Sequence, residues 1–251
     1  MQTKVKTATE IEAMRESGHM LGSVLVVLEK SVAVGMTTKE LADIAGRELK
    51  GLGGLPSFLG YQDFPDVLCV SLNEEVVHGI PSTKRIIADG DIVSMDFGVT
   101  YKGMITDAAR SVIAGAPKQR RHVELVKYTL ASLDAGINVV QHQVRTGDIG
   151  ASVQSVLDKF HYGVVRDLVG HGVGHHLHED PNIPNYGRRG TGPWLEAGMT
   201  IAIEPMATLG TDRVNVGDDG WTIVTADKSW SAHFEDTVLI TQDSAEILTR
   251  I

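Results

Sequence analysis

Four acidic residues lie in otherwise apolar, strand-like segments of this sequence. Asp96 follows an apolar run, Asp107 follows a second, and Glu204 and Glu235 end or interrupt two more. A carboxylate can be buried among apolar side chains only if it is paired, hydrogen-bonded or bound to a metal. Within residues 86–109, which contain the first two, the only basic residue is Lys102. The four together favour a cation site, although each alone would also fit a strand-end carboxylate that caps a turn or pairs with arginine.

Histidines are the second chemical signal. His171 lies among glycines in the run 170–174, and His175, His176 and His178 follow within the same segment. Several carboxylates with one imidazole suit Mn, Fe, Co or Zn, and two bridging carboxylates would hold a metal pair that supplies hydroxide for hydrolysis. The alternative is a solvated loop with incidental histidines. His78, taken alone, is typical of a turn.

Other reaction classes have little support. The sequence has no Gly-x-Ser-x-Gly, Walker, His-Glu-x-x-His or Cys-x-x-Cys motif, so covalent catalysis is not indicated. Its net charge of -9 argues against a nucleic-acid or anionic-membrane surface. One cysteine cannot form an internal disulfide, and we find neither a signal sequence nor a membrane span. We therefore expect a soluble, cytoplasmic protein.

The elements that position these residues can be predicted from capping boxes and periodicity. Thr7 with Glu10, or Thr9 with Glu12, would start a helix that runs to about residue 30. Thr37 with Glu40 would start a second helix, which we expect to end at Gly51.

Strands and helices follow in an order that occurs twice. Strand patterns occupy 67–70, 92–97, 104–105, 164–169, 199–203, 221–224 and 234–240, and helical patterns run from about 118 to 140 and 146 to 160. Because long helices begin near 8 and 118, we expect one α+β domain, 1–251, with pseudo-repeats of about 7–115 and 116–245. Strands would curve against four helices, with the site where the lobes meet.

Five blocks of this sequence match a known family in order and spacing. They are Asn73–Pro81, Asp89–Val93, Gly170–Gly174 with His178–Pro181, Ile203–Pro205, and Phe234–Glu235. On these residues the sequence resembles the type I methionine aminopeptidases over essentially its whole length. The resemblance implies the two-lobed pita-bread fold, a curved antiparallel sheet with pseudo-twofold symmetry covered by four helices.

The resemblance also implies a two-metal centre that removes the initiator methionine from nascent proteins and peptides. In it Asp107 and Glu235 would bridge two divalent ions, Asp96 would hold one, and His171 with Glu204 would hold the other. A metal-bridging hydroxide would attack the scissile amide carbonyl. The identity of the ions, among Mn, Fe, Co and Zn, stays open.

Roles for further residues are carried over in the same way. Glu204 would shuttle the proton, His78 and His178 would contact the scissile amide and the developing oxyanion, and His175 and His176 would not be ligands. The implied substrate-binding residues are Phe58, Tyr61, Phe64, Cys69, His78, Leu177, His178 and Trp221, with Phe58 and Leu177 at the edge. Such a cavity suits a polarisable thioether. For Cys69 and Trp221, plain core packing is the alternative.

Three residues depart from the family pattern. Asp236 stands where His is usual, so it must either add negative charge near the metals or be paired or protonated. Ser82 stands where Asp or Asn is common, and Leu177 replaces Met or Phe.

Two other functions remain open. An Xaa-Pro peptidase or creatinase-type hydrolase would share the fold, but those relatives carry an additional N-terminal domain for which we find no residues here. A non-catalytic binding module would be expected to have lost ligands, whereas all five are present. The expected partners are nascent polypeptide N-termini, including those at the ribosome, with no nucleic acid and no membrane, and we expect a monomer.

Overall fold

Two capping boxes begin the helices of the first half in the computed structural model, which describes residues 3–251. Helix α1, Ala8–Ser31, starts where the Thr7 hydroxyl accepts from the Glu10 amide while the Glu10 carboxylate accepts from the Thr7 amide. Helix α2, Thr38–Leu52, starts at Thr37 in the same way. The predicted starts are confirmed, with Thr7 and Glu10 as the first pair.

Helix α2 ends later than predicted. Its cap is Gly53 rather than Gly51, because Gly53 has φ 83°, a left-handed conformation that glycine adopts without steric cost. The second half contains α3, Arg120–Ile137, and α4, Thr146–Asp158, which pack against each other.

Fifteen strands complete the fold of residues 3–251. In the first half they are β1 Leu55–Pro56, β2 Cys69–Leu72, β3 Glu75–Val77, β4 Ile92–Tyr101 and β5 Met104–Ile113. In the second half they are β6 Gly163–Val164, β7 Gly170–Gly172, β8 Glu179–Ile183, β9 Thr200–Ile203, β10 Met206–Thr208, β11 Val214–Val216, β12 Ile223–Thr225, β13 Ser231–His233, β14 Asp236–Ile240 and β15 Ala245–Ile247.

The strands pair in antiparallel ladders. Strand β4 pairs with β1, β2 and β5, while a second sheet has the order β15-β14-β9-β7-β8. Two smaller sheets have the orders β13-β10-β6 and β11-β12-β3. A bridge between Ala109 and Glu235 joins β5 to the segment just before β14, with amide-to-carbonyl distances of 3.2 and 3.0 Å. This bridge connects the two halves at the candidate site.

Each half has its own apolar core. Helix α1 packs on β4 and β5, where Leu21, Leu25 and Phe97 are fully or almost fully buried. Helix α3 packs on β9 and β13, where Leu133 and Ile203 are fully buried. The predicted α+β class with four helices is therefore confirmed. The expected strand at 164–169 was wrong beyond its first residue, because only 163–164 pairs, with β10.

No helix within residues 3–251 has both the length and the apolar character needed to cross a membrane.

Candidate active site

Strand register places three of the predicted acidic residues on one face. Asp96 of β4 lies opposite Ala109 of β5, and Asp107 is two residues along β5 from Ala109. Glu235 also lies opposite Ala109 through the bridge between the two halves. Because directly opposed residues and their diagonal neighbours project to the same side, these carboxylates converge.

Glu204 and His171 reach the same place from the second half. Glu204 comes directly after Ile203, the last residue of β9, which pairs with Asp236 of β14. His171 lies in β7 between two glycines, and a Cβ on Gly170 would lie 2.4 Å from the carbonyl oxygen of Ala202. Only glycine allows this close strand approach, which brings His171 beside Glu204.

Distances define two overlapping groups of donor atoms. Atoms of Asp107, His171 and Glu235 lie within 4.8 Å of one another, as do atoms of Glu204, His233 and Glu235. Nε2 of His171 is 3.5 Å from Oε1 of Glu204. Asp96 belongs to neither group, although its negative charge raises the pKa values of Asp107 and Glu204.

The four carboxylates are desolvated and close together. Burial raises the pKa of Asp96 to about 7. Burial, and then the neighbouring negative charges, raise the pKa values of Asp107, Glu204 and Glu235 well above their ordinary values. Such shifts mark sites where like charges are held together.

The donor set fits divalent cations. One carboxylate oxygen each of Asp96, Asp107 and Glu235 is buried without a hydrogen-bond partner, and among residues 3–251 no lysine or arginine side chain pairs with these carboxylates. Buried polar atoms are nearly always satisfied, so these oxygens require a partner. Carboxylate oxygens with imidazole nitrogen suit Mn, Fe, Co or Zn.

His171 has the tautomer that a ligand requires. Its Nδ1 lies 2.9 Å from the carbonyl oxygen of Gly172, to which it can donate, which leaves Nε2 free to face Glu204. Burial, and then the nearby His178, lower the pKa of His171 to about 3, so the imidazole is neutral.

A cavity of about 190 Å³ adjoins the carboxylates. All eight predicted substrate-binding residues line it, together with Gln62 and Asp96: Phe58, Tyr61, Phe64, Cys69, His78, Leu177, His178 and Trp221. Phe58 and Leu177, expected at the edge, are buried with Phe64 and Cys69, whereas Tyr61 and Trp221 are partly exposed. Asp96 belongs to this wall and also to the acidic cluster, by which we mean Asp96, Asp107, Glu204 and Glu235. The apolar cavity therefore opens onto the acidic cluster.

Two predicted histidines face this cavity. His78 follows β3 with φ 61° and makes an edge contact with Trp221, their ring centroids 6.4 Å apart. Burial, and then His178, lower the pKa of His78 to about 4. The ring of His178 lies 4.3 Å from that of His171.

His175 and the unusual acidic residue Asp236 face elsewhere. His175 pairs with Glu10, their atoms 2.8 Å apart. Asp236 is fully buried and accepts from Arg110 at 2.7 Å and from Arg250 at 2.6 Å. Of the alternatives for Asp236, the structure therefore selects pairing.

His233 was not predicted from the sequence. Its spacing from Glu235 was a usable signal, because alternate residues of an extended strand share a face. The same alternation places Asp236 on the opposite face.

Comparisons with known proteins find metallopeptidases that are similar to this chain over nearly its whole length. The model of metallopeptidase family M24 matches residues 12–242. The chain is 45% identical to the methionine aminopeptidase of Clostridium acetobutylicum, with 98% of each chain covered. It is 44% identical to the crystal structure of methionine aminopeptidase from Thermotoga maritima, with a TM-score of 0.97 and 100% of each chain covered.

A more distant likeness concerns the fold alone. The prolidase from Pyrococcus furiosus aligns with a TM-score of 0.79 at 23% identity, covering 98% of this chain and 65% of that one.

Proposed function

This chain belongs to metallopeptidase family M24, and from that premise we infer that it is an aminopeptidase that removes the N-terminal methionine of proteins and peptides. The observation that carries the inference is that Asp96 belongs both to the wall of the cavity and to the acidic cluster. A methionine side chain in the cavity would place its own amide beside the acidic cluster.

The cavity has the size and chemistry for a thioether. A cavity of roughly 150 Å³ already holds a benzene-sized group, so about 190 Å³ accommodates the methionine side chain. Sulfur and aromatic edges interact favourably, and Phe64, Cys69 and Trp221 provide such surfaces.

We propose that Asp96, Asp107, His171, Glu204 and Glu235 hold two divalent ions, with Asp107 and Glu235 shared between them. When bound, such ions polarise the scissile carbonyl and lower the pKa of water. The unpartnered buried oxygens and the raised pKa values of these carboxylates support this assignment.

The remaining roles concern protons and hydrogen bonds. Glu204 would take a proton from the attacking water at a carboxylate oxygen and deliver it to the leaving amine. His178 donates from Nε2 to the carbonyl oxygen as negative charge develops there, and His78 contacts the scissile amide. The cavity-lining positions of both histidines support these roles.

The cellular setting is also part of the proposal. We propose that 1–251 acts as one catalytic domain with pseudo-repeats 7–115 and 116–245, in the cytoplasm, on nascent N-termini including those at the ribosome. A monomer suffices, because cavity and candidate ligands come from one chain.

Peptide cleavage after reconstitution with Mn, Fe, Co or Zn tests this function. Metal-loaded protein should release methionine from Met-Ala peptides and leave Ala-Pro peptides intact, and chelation should abolish cleavage. Cleavage of Ala-Pro alone would instead support the Xaa-Pro peptidase alternative, which shares the fold. Absence of both activities with every metal would contradict an enzyme.

A further inference from the structure

His233 is a buried histidine whose ring has no hydrogen-bond partner. Its side chain is 2% exposed, and neither Nδ1 nor Nε2 meets a partner within residues 3–251. Its backbone is fixed, because its amide donates to the Ser111 hydroxyl and its carbonyl accepts from that hydroxyl. A fixed, buried imidazole with two unsatisfied nitrogens is rare and requires an explanation.

The Nε2 atom of His233 points at two carboxylates. It lies 3.7 Å from Oε2 of Glu204 and 4.0 Å from Oε2 of Glu235. These distances are too long for hydrogen bonds, which measure roughly 2.7–3.2 Å. Two atoms that each lie about 2.0–2.2 Å from a shared metal ion are separated by roughly 3–4 Å. The spacing therefore matches ligands around an ion.

Glu204 lies between two imidazoles. Its Oε1 faces Nε2 of His171 at 3.5 Å, and its Oε2 faces Nε2 of His233 at 3.7 Å. The Nε2 atoms of the two histidines thus lie at similar distances from the two oxygens of one carboxylate. One of them is already among the proposed ligands, and the other is not.

We propose that His233 is a further metal ligand, which with Glu204 and Glu235 completes a second nitrogen-containing donor set in the acidic cluster. This inference rests on the metal-dependent function proposed above. It adds a sixth residue to the five proposed ligands and supplies a partner for Nε2 of the buried imidazole.

A second imidazole changes which metals the site prefers. Imidazole suits Zn, Fe and similar transition metals, whereas Mn is better suited to carboxylates and water. We therefore expect His233 to favour Co and Zn over Mn. This preference can be measured without any peptide substrate.

Metal titration of the full-length, metal-free protein provides the first test. His233→Gln keeps a side chain of similar length that can form hydrogen bonds, but it removes the imidazole. The dissociation constant for Co should rise at least about ten-fold in His233→Gln, and that for Mn should rise less. His122→Gln is the matched control, because His122 is a buried histidine with an unpartnered Nδ1 that stacks on Trp230 and belongs to neither group of donor atoms. An unchanged Co affinity in His233→Gln would overturn the proposal.

Proton NMR of the Co-loaded wild-type protein provides a test that needs no variant to fold. A histidine bound through Nε2 keeps an N–H at Nδ1, whose proton is strongly shifted by Co and disappears in D2O. Two such signals are expected, from His171 and His233, and one of them should be absent from His233→Gln. A single signal in the wild-type protein would overturn the proposal.

The outcomes separate this inference from the proposed function. Two signals without release of methionine from Met-Ala peptides would support the ligand and contradict the function. Release of methionine with a single signal would support the function and contradict the ligand. A protein that binds no metal would contradict both.

Discussion

The phenolic oxygen of Tyr61 lies 2.7 Å from Nδ1 of His178. If Tyr61 donates this hydrogen bond, Nδ1 is the acceptor and the proton of the neutral imidazole is on Nε2. Tyr61 lines the apolar cavity, so one wall of the cavity also holds Nδ1 of His178 in a hydrogen bond. With Tyr61 as the donor, Nε2 of His178 is the donor toward the substrate.

Alanine variants of His171 and His178 should therefore behave differently. His171→Ala should weaken metal binding and activity together, because Nε2 of His171 faces Glu204. His178→Ala should keep its metal affinity while kcat falls about 10²–10³-fold, the usual cost of one oxyanion donor. KM should change much less, because that interaction strengthens only in the transition state. Metal titration and steady-state kinetics decide this, and unaltered kcat in His178→Ala would refute its role.

Replacing Asp236 by His should destabilise the protein. Asp236 is fully buried between Arg110 and Arg250, and Arg110 also donates to the carbonyl oxygen of Glu235 at 2.6 Å. Removing one partner of a buried ion pair lowers the free energy of unfolding by about 3 kcal/mol, because the remaining charge is left unpaired. Urea unfolding of the metal-free variant measures this loss.

A surface substitution provides the control for Asp236→His. Asp43 makes an exposed pair with Lys39, so Asp43→His should change the free energy of unfolding by less than about 0.5 kcal/mol. Equal stability of Asp236→His and the wild-type protein would show that the two arginine contacts contribute nothing.

The cavity should discriminate methionine from leucine at the first substrate position. Phe64 meets Trp221 edge to face at 5.2 Å, beside the buried Cys69. Shape differences of about a methylene in such a pocket are worth roughly 1–3 kcal/mol, so we expect kcat/KM to favour Met-Ala over Leu-Ala about 10- to 200-fold. Phe64→Ala should reduce this ratio by enlarging the cavity. Equal cleavage of both peptides by the wild-type protein would contradict the pocket.

Helix α1 should carry a pH-dependent contribution to stability. The hydrogen bond from the Thr7 amide, and then the contact with His175, lower the pKa of Glu10 from 4.5 to about 2. A carboxylate whose pKa is lower in the folded protein stabilises it above the ordinary pKa, and this contribution is lost as the pH falls toward 2. Because the Glu10 side chain is about one-third exposed to solvent, we expect only about 0.5–1 kcal/mol at pH 7.

Urea unfolding of the metal-free protein between pH 7 and pH 3 tests this expectation. The difference between wild-type protein and Glu10→Gln should shrink below pH 4.5. Glu12→Gln removes only an exposed pair with Arg15 and should have little effect. A difference for Glu10→Gln that is independent of pH would show that its charge contributes nothing.

Features that depend on neighbouring residues could be predicted from the sequence. The helix starts at Thr7 and Thr37 require only a side chain and an amide three residues apart, and both predictions were correct. Carboxylates within apolar strands could likewise be predicted to be buried with a partner, because burying a carboxylate without one is costly. The end of α2 at Gly53 instead of Gly51 depended on which of two nearby glycines adopts a left-handed conformation.

Features that depend on distant residues required the tertiary structure. Asp236 pairs with Arg110 from the other half of the chain, and nothing local distinguishes that arginine from any other. His233 could have been placed on the face of Glu235 by alternation, but its unpartnered ring nitrogens and its distance from Glu204 follow from how β9 and β13 meet. The sequence determined which polar side chains need a bonding partner, because each buried polar group loses its hydrogen bonds to water. Only the folded chain decided which residue is the partner of each buried polar side chain, because strand pairing across the two halves brings the partners together.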